Sequence, residues 1–330
     1  MKITAYSVRK VEGKYFLNEA KKYAFDISIN KENLNSESLK LAKDSDAVII
    51  RADSKIDETL VIKMHEMNIK YLLTRTTGVE HIDISACKKY GIKVANVPSY
   101  SPSAISEWAF SCALSLSRRV FHFANKAYND DLLIDEFGYA YELKGKTVGI
   151  IGLGNIGLTS AKYFLAFNSK VIAFDPKPSK EVLKLIDIKN TIEEVVEESD
   201  IVIFHCPYVK GVNDNLINLD LFKLAKLGSI FINASRGLIQ NEEDILYALK
   251  NNLIYAYATD VLKEEKAYFN KKDSLKNNPT LNELKNLYPR FILTPHIGSY
   301  THEAVLNMVK ISFENLHQLM NNEVCKNEIC

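Results

Sequence analysis

At 330 residues the chain has room for about two domains, each able to bury its own core. Its 42 Lys and Arg against 41 Asp and Glu give no reason to expect a nucleic acid or an anionic membrane surface as partner. The five cysteines, Cys87, Cys112, Cys206, Cys325 and Cys330, are odd in number, scattered and without metal-ligand spacing, which reads as reduced thiols in the cytosol and no metal site.

The chain opens Met1-Lys2-Ile3-Thr4-Ala5-Tyr6, a short strand pattern that lacks the long apolar core of a signal peptide, and no later run approaches a membrane span. A cytoplasmic protein is expected. Up to about residue 100, strands at 2–6, 47–50, 71–74 and 93–96 alternate with helical spacing at 57–67 and 83–90. Asp57 and Asp83 are expected N-caps and Gly91 a C-cap. This is the pattern of a small open α/β domain with a parallel sheet, whose ligands bind at the strand carboxyl ends. The loop Arg75-Thr76-Thr77-Gly78-Val79 follows one such end, where its backbone N–H groups could hold an anion or simply make a turn.

Val97-Pro98-Ser99-Tyr100-Ser101-Pro102 punctuates the chain and opens one long helical stretch, about 103–128. A domain crossing is expected here. Trp108, Phe110, Leu114 and Leu116 make the helix more apolar than a solvent-facing one needs, so it is expected to be buried between domains or in a dimer contact.

The next unit organises everything after it. A buried strand at 148–151 runs into Gly152-Leu153-Gly154-Asn155-Ile156-Gly157, a helix follows, and a second apolar strand closes on Asp175. In this dinucleotide fingerprint Gly152 permits the tight turn, Gly154 the approach of a pyrophosphate to the backbone and Gly157 the packing of helix on strand. Free N–H groups at the helix start, with the helix dipole behind them, receive the phosphates. Asp175 stands where it can accept the adenosine ribose hydroxyls, and its charge favours NAD over NADP; Lys177 is near enough to soften that preference.

Alternation then continues. Thr191-Ile192-Glu193-Glu194 reads as a capping box whose helix leads to a strand at 201–204. A helix near 219–226, strands at 229–232 and 256–259 with a helix at 241–250 between them, a strand at 291–294 and an amphipathic helix at about 302–320 complete the chain. The stretch 264–289 is polar and irregular and reads as a surface excursion. The chain that crosses between domains near Tyr100 is expected to cross back near Gly298.

Three groups sit just past strands of the glycine-rich domain: Arg236 after Phe231-Ile232-Asn233-Ala234-Ser235, Glu265 after Thr259-Asp260-Val261-Leu262-Lys263-Glu264, and His296 after Leu293-Thr294-Pro295. Strand carboxyl ends are the edge a nicotinamide must face. Singly, they also suit a surface ion pair, a solvated acid and a structural histidine; together they supply an arginine for a carboxylate and an acid/base pair for a carbonyl.

With those residues in view, the chain resembles the D-2-hydroxyacid dehydrogenase family, in its D-lactate dehydrogenase branch, over essentially its whole length. The likeness rests on Gly152 to Gly157 with Asp175, His205-Cys206-Pro207, Asn233-Ala234-Ser235-Arg236-Gly237, Asp260 with Glu265, and Thr294-Pro295-His296. It implies an α/β architecture in which a doubly wound Rossmann dinucleotide-binding domain, residues 103–298, is inserted in a smaller flavodoxin-like α/β substrate (catalytic) domain, residues 1–102, to which a C-terminal helix, residues 299–330, returns. The resemblance further implies that Arg236 binds the substrate carboxylate and carbonyl, that His296 donates the proton and that Glu265 pairs with it. Thr77 and Gly78 match the loop holding the carboxylate, Tyr100 a substrate-side tyrosine, and Asp260 an acid supporting the site, counted with the cofactor positions. His205, Cys206 and Pro207 match positions near the nicotinamide end. The implied cofactor is NAD, the implied substrate a small 2-oxoacid, and the implied assembly a homodimer formed through the helix after Pro102.

The chemistry agrees: hydride attack on C2 of a 2-oxoacid leaves an alkoxide that needs a proton and a positive charge beside it. A carboxylate next to an imidazole favours the imidazolium, and the arginine fork matches a carboxylate as a lysine cannot. The chain departs from its lactate-specific relatives at Ser299, where they commonly carry an aromatic residue that fills the pocket around a methyl group. The resemblance implies reduction of pyruvate to D-lactate as the expected activity; the extra room at Ser299 suits, as the alternative, a branched-chain or aromatic 2-oxoacid such as 2-oxoisocaproate or phenylpyruvate. Competing readings are a glycerate, phosphoglycerate or formate type enzyme, of which the long phosphoglycerate enzymes are disfavoured by the lack of an extra C-terminal regulatory domain, and an NAD-sensing corepressor-like interaction protein, disfavoured by the intact Arg236, Glu265 and His296.

Overall fold

Short apolar runs become the strands of two parallel sheets. In a computed structural model that describes residues 1–179 and 186–330, the chain divides into one unit of Met1–Ser101 with Tyr300–Cys330 and a second of Pro102–Ser299.

The first unit carries β1 (Lys2–Ala5), β2 (Asp26–Ile29), β3 (Ala47–Ile50), β4 (Tyr71–Thr74) and β5 (Lys93–Ala95), all paired in parallel in the order β2-β1-β3-β4-β5. That is a flavodoxin-like order. Every residue of β3 is buried, as a central parallel strand covered on both faces requires. Of the covering helices α1 (Gly13–Lys22), α2 (Glu58–Glu66) and α3 (Ile84–Lys89), the last two begin as expected: Asp57 accepts from Leu60 N–H at 3.0 Å and Asp83 from Ala86 N–H at 2.9 Å. Gly91, at φ +69, ends α3. The sequence reading missed α1 and β2. No side chain caps α1, and β2 is an edge strand without a fully buried residue, so neither carries a start signal or clean alternation.

The second unit opens with a helix that differs from expectation. The stretch expected as one helix is two, α4 (Pro102–Ser117) and α5 (Val120–Tyr128), broken at Arg119. Arg119 takes φ 60°, and its guanidinium lies 3.4 Å from the centre of the Tyr255 ring, so stacking stabilises a left-handed residue that local propensity would not choose. The apolar face of α4 packs on its own unit: Phe110 meets Phe164 and Phe167 at 5.0 and 4.8 Å between ring centres.

Seven strands follow: β6 (Thr147–Ile151), β7 (Lys170–Phe174), β8 (Asp187–Ile188), β9 (Ile201–Phe204), β10 (Ile230–Asn233), β11 (Ala256–Thr259) and β12 (Phe291–Leu293). They form one parallel sheet in the order β12-β11-β10-β9-β6-β7-β8. This is the doubly wound order, with its switch point between β6 and β9. Helices α6 (Asn155–Ala166), α7 (Ile192–Glu198), α8 (Leu219–Leu224) and α9 (Glu242–Lys250) cover it. The box at Thr191 closes differently from the sequence reading. Thr191 Oγ1 accepts from Glu194 N–H at 3.1 Å, but Glu194 reaches back to the N–H of Asn190, at 2.8 Å, and not to the cap itself.

The stretch 264–289 is not irregular: it holds α10 (Glu265–Tyr268), a 3-10 turn at Ser274–Asn277 and α11 (Pro279–Asn286), with Leu281 and Leu284 buried. Polar composition hid it, since α11 buries only one narrow stripe. The last helix, α12 (His302–Met320), belongs to the first unit, where Phe313 packs against Phe16 at 6.1 Å and Asn315 donates to the carbonyl of Asn96 at 2.8 Å. Beyond it the tail pairs with β5, Ile329 N–H donating to Val94 O at 2.7 Å. Among the described residues no helix is long and apolar enough to cross a membrane, and no group of three metal-ligating side chains is assembled.

Candidate active site

The glycine turn lies at the switch point, between the carboxyl ends of β6 and β9. Gly152 has φ +95, and a Cβ there would stand 2.7 Å from the backbone nitrogen of Cys206. A Cβ on Gly157 would stand 2.0 Å from Gly152 O. These two glycines are demanded from within the protein. Gly154 is different: a Cβ would meet no protein atom within 4 Å, so the open side of the turn faces space a ligand can enter. Gly154 is itself the N-cap of α6 and offers no side chain to the first N–H groups, with Asn155 and Ile156 in that first turn. An anion is what such a helix start lacks. Asp175, just past β7, accepts from Leu153 N–H at 2.7 Å and Lys177 N–H at 2.8 Å, which fixes its carboxylate against the turn with further lone pairs to offer. These residues fit the adenosine and pyrophosphate half of NAD.

His205 and Cys206 follow β9 beside that turn, and Pro207 is exposed after them. His205 Nε2 and Ser160 Oγ are 2.8 Å apart, while Nδ1 is sealed without a partner. Burial lowers the imidazole to about 4, so the ring is neutral near pH 7. Burial also pushes the Cys206 thiol up to about 11, which makes it a packing group and not a nucleophile. All five cysteines are free.

Arg236, Glu265 and His296 stand beyond the carboxyl ends of the adjacent strands β10, β11 and β12. The structure brings Glu265 and His296 together: the carboxylate oxygens lie 3.1 and 3.2 Å from Nδ1. Arg236 is half-buried, and its Nη1 donates to Ser235 O at 3.1 Å. Gly237 behind it is required, because a Cβ would stand 1.9 Å from Leu262 O.

Asp260 is buried and builds the histidine loop. Its Oδ1 accepts from Thr294 Oγ1 at 2.5 Å and Ile297 N–H at 2.8 Å, its Oδ2 from Gly298 N–H at 2.6 Å, and its carbonyl from His296 N–H at 2.9 Å. Those bonds hold His296 at φ 56, a left-handed conformation that costs a non-glycine residue about 1–3 kcal/mol. Burial raises the Asp260 carboxyl above the ordinary range, opposed by the Thr294 and backbone hydrogen bonds.

Thr77, Gly78 and Tyr100 lie in the first unit. Thr77 Oγ1 donates to Val97 O at 3.1 Å, Thr77 O accepts from Asn96 Nδ2 at 2.7 Å, and Gly78 O accepts from Thr76 Oγ1 at 2.7 Å, so the loop after β4 is tied to the segment after β5. Asn307 Nδ2 donates to Tyr100 O at 2.8 Å. Ser299 closes the second unit and is half-buried. Ser160 and Gln240 escaped the sequence reading; neither carries a motif signal.

Residues 110–298 match the family model described as D-isomer specific 2-hydroxyacid dehydrogenase, NAD binding domain. The chain is similar to an aromatic 2-oxoacid reductase of Clostridium sporogenes, 36% identical over 332 residues and 99% of each chain. Its structure is similar to that of a D-2-hydroxyisocaproate dehydrogenase (TM-score 0.92, 32% identity, 100% of this chain and 99% of that one). It is also similar to that of a D-lactate dehydrogenase with NAD+ from Lactobacillus jensenii (TM-score 0.90, 31% identity, 100% of both).

Proposed function

The chain belongs to the D-isomer specific 2-hydroxyacid dehydrogenase family of NAD-dependent oxidoreductases, and from that premise we propose that it reduces a 2-oxoacid larger than pyruvate to the D-2-hydroxy acid, with pyruvate a secondary substrate. The observation that carries the acid/base part is the Glu265 carboxylate on Nδ1 of His296. When bound, NADH supplies the hydride to C2. His296 gives a proton from Nε2 to the oxygen at C2, and in the reverse direction the neutral ring takes it back. Glu265 holds the Nδ1 proton in place and so fixes which ring nitrogen faces the substrate. Arg236 binds the carboxylate and the carbonyl oxygen through its planar fork, and the N–H groups of Thr77 and Gly78 bind the carboxylate. Tyr100 borders the substrate. His205, Cys206 and Pro207 line the nicotinamide end of the cofactor.

Ser299 supports the larger substrate, because a hydroxymethyl leaves room that an aromatic ring would fill, and so does the 36% identity to an aromatic 2-oxoacid reductase. D-Lactate formation is the second reading, supported by the likeness to D-lactate dehydrogenases. One or two methylenes of pocket are worth about 1–3 kcal/mol, so the two overlap. The test is kcat/KM by NADH oxidation on pyruvate, 2-oxoisocaproate and phenylpyruvate; a steep preference for pyruvate selects the second reading. A homodimer belongs to the proposal, supported by the exposed apolar run Leu132-Leu133-Ile134 with Tyr128 and Tyr139.

A further inference from the structure

Behind Arg236 the second unit buries a polar network that none of the catalytic roles uses. Gln240 is fully buried at the end of the turn that follows Arg236. Its Oε1 accepts from Asn233 Nδ2 at 2.8 Å and Tyr257 OH at 3.0 Å, with Thr259 Oγ1 at 3.2 Å. Its Nε2 donates to Val261 O at 3.1 Å and to Glu242 Oε1 at 3.3 Å. Both ends of the amide are thus committed, as a buried amide requires.

The partners divide between two loops. Asn233 Nδ2 also donates to Arg236 O at 3.1 Å, and Asn233 Oδ1 accepts from Ser235 N–H at 3.0 Å, so Asn233 shapes the turn that presents the arginine. Val261 O opens the segment that runs through Lys263 to Glu265, and Glu242 Oε1 accepts from Lys263 N–H in that segment at 3.0 Å. Gly237 meets Leu262 with no room for a Cβ, so the two backbones touch beside Gln240.

We infer that Gln240 is a positioning residue, an amide cross-brace that fixes the loop of Arg236 against the loop of Glu265 and so sets substrate-carboxylate binding and the acid/base pair in one register. This rests on the roles proposed above for Arg236, Glu265 and His296. A side chain with one acceptor and two donors is what the position needs: an apolar isostere would leave Tyr257 OH without its acceptor and one N–H of Asn233 Nδ2 without a partner, and would remove the amide donor that ties Val261 O to the turn. A carboxylate keeps the acceptor side, but it turns a second negative oxygen toward Val261 O and Glu242. Protonated, that same carboxyl donates one bond again.

The test compares Gln240→Met, Gln240→Glu and Tyr257→Phe with the native enzyme on phenylpyruvate and pyruvate, using protein whose near-UV circular dichroism and NADH affinity are native. Misplacement of loops that hold reacting groups predicts a KM for the oxoacid raised about tenfold and a kcat lowered about tenfold in Gln240→Met. Gln240→Glu shows the same loss at about pH 8, and its activity relative to the native enzyme recovers toward about pH 5.5 as the new carboxyl protonates. Tyr257→Phe removes a bond to Gln240 without freeing either loop; it lowers the melting temperature and leaves KM and kcat within about twofold, since its cost is one ordinary hydrogen bond. Gln240 variants that lose only thermal stability, a Tyr257→Phe enzyme as impaired as they are, or a flat pH ratio for Gln240→Glu would each overturn the inference. If Gln240→Met does not fold, the pH ratio of Gln240→Glu decides. The parent reading fails by a different sign, native turnover in His296→Ala and Arg236→Ala.

Discussion

The carboxylate of Glu265 straddles Nδ1 of His296, with its two oxygens at 3.1 and 3.2 Å. A ring held this way by one nitrogen presents the other in a fixed direction. His296→Ala is therefore expected to lower kcat for oxoacid reduction about 10²-fold or more, the usual cost of lost acid/base catalysis. Arg236→Lys keeps the charge but loses the two-pronged donor, so its main effect is a raised KM for the oxoacid. Steady-state kinetics of both variants check this, and near-native constants in both would mean the site is misassigned.

Asp260 acts one step back from the chemistry. Three of the groups bonded to its carboxylate lie within two residues of His296, namely Thr294, Ile297 and Gly298. Asp260→Asn turns an NH2 toward a backbone N–H and leaves it unpaired, with an expected loss of about 1–3 kcal/mol of stability. The left-handed His296 then loses its support, and kcat falls with it. The sign with pH is also determined. A carboxyl raised above its ordinary value binds a proton in the folded state that the unfolded chain has released, so its contribution to stability falls as pH rises from the ordinary carboxylate range through the raised value. Denaturant titrations across the acid range should show that component in the native protein and not in Asp260→Asn.

The glycine turn was legible because its main constraints are local: Gly157 has no room for a Cβ against Gly152 O within one strand–turn–helix unit, Gly152 takes a positive φ, and the spacing displays both. The strands were legible as apolar runs, and the doubly wound order follows from strict alternation. What stayed hidden depends on partners distant in sequence. Arg119 breaks a helix because Tyr255 stacks on it, and Asp260, grouped with the cofactor positions by resemblance, spends its carboxylate on the histidine loop. Gln240 sits in a stretch of ordinary composition, and only the pairing of β10 with β11 reveals what it joins.

Asp175 is expected to separate the two nicotinamide cofactors. Its carboxylate is pinned against the turn by Leu153 and Lys177 N–H groups, so it cannot swing away from a 2′-phosphate. Asp175→Ala removes a charged acceptor worth about 1.5–3 kcal/mol to a ribose hydroxyl and at the same time removes the repulsion toward NADPH. NADH binding is expected to weaken about tenfold or more while NADPH weakens less or gains. Fluorescence titrations with both cofactors measure this, and equal losses would refute the assignment.

His205 ties stability to mild acid. Its imidazole, lowered by burial to about 4, must shed its proton to enter the folded state, whereas in the unfolded chain it titrates near about 6.5. Between those values the unfolded chain binds the extra proton, so stability falls as pH drops from about 6.5 to about 4 and is full above that window. Each pKa unit is worth about 1.4 kcal/mol, so the shift sets about 3.5 kcal/mol as an upper bound, and the true value is smaller because the ring is not fully covered although its Nδ1 is sealed. His205→Gln cannot titrate. Its unfolding free energy, measured by urea denaturation at about pH 7 and about pH 5, should change less between the two conditions than that of the native protein. An equal change in both would show that His205 is not the group that charges on unfolding.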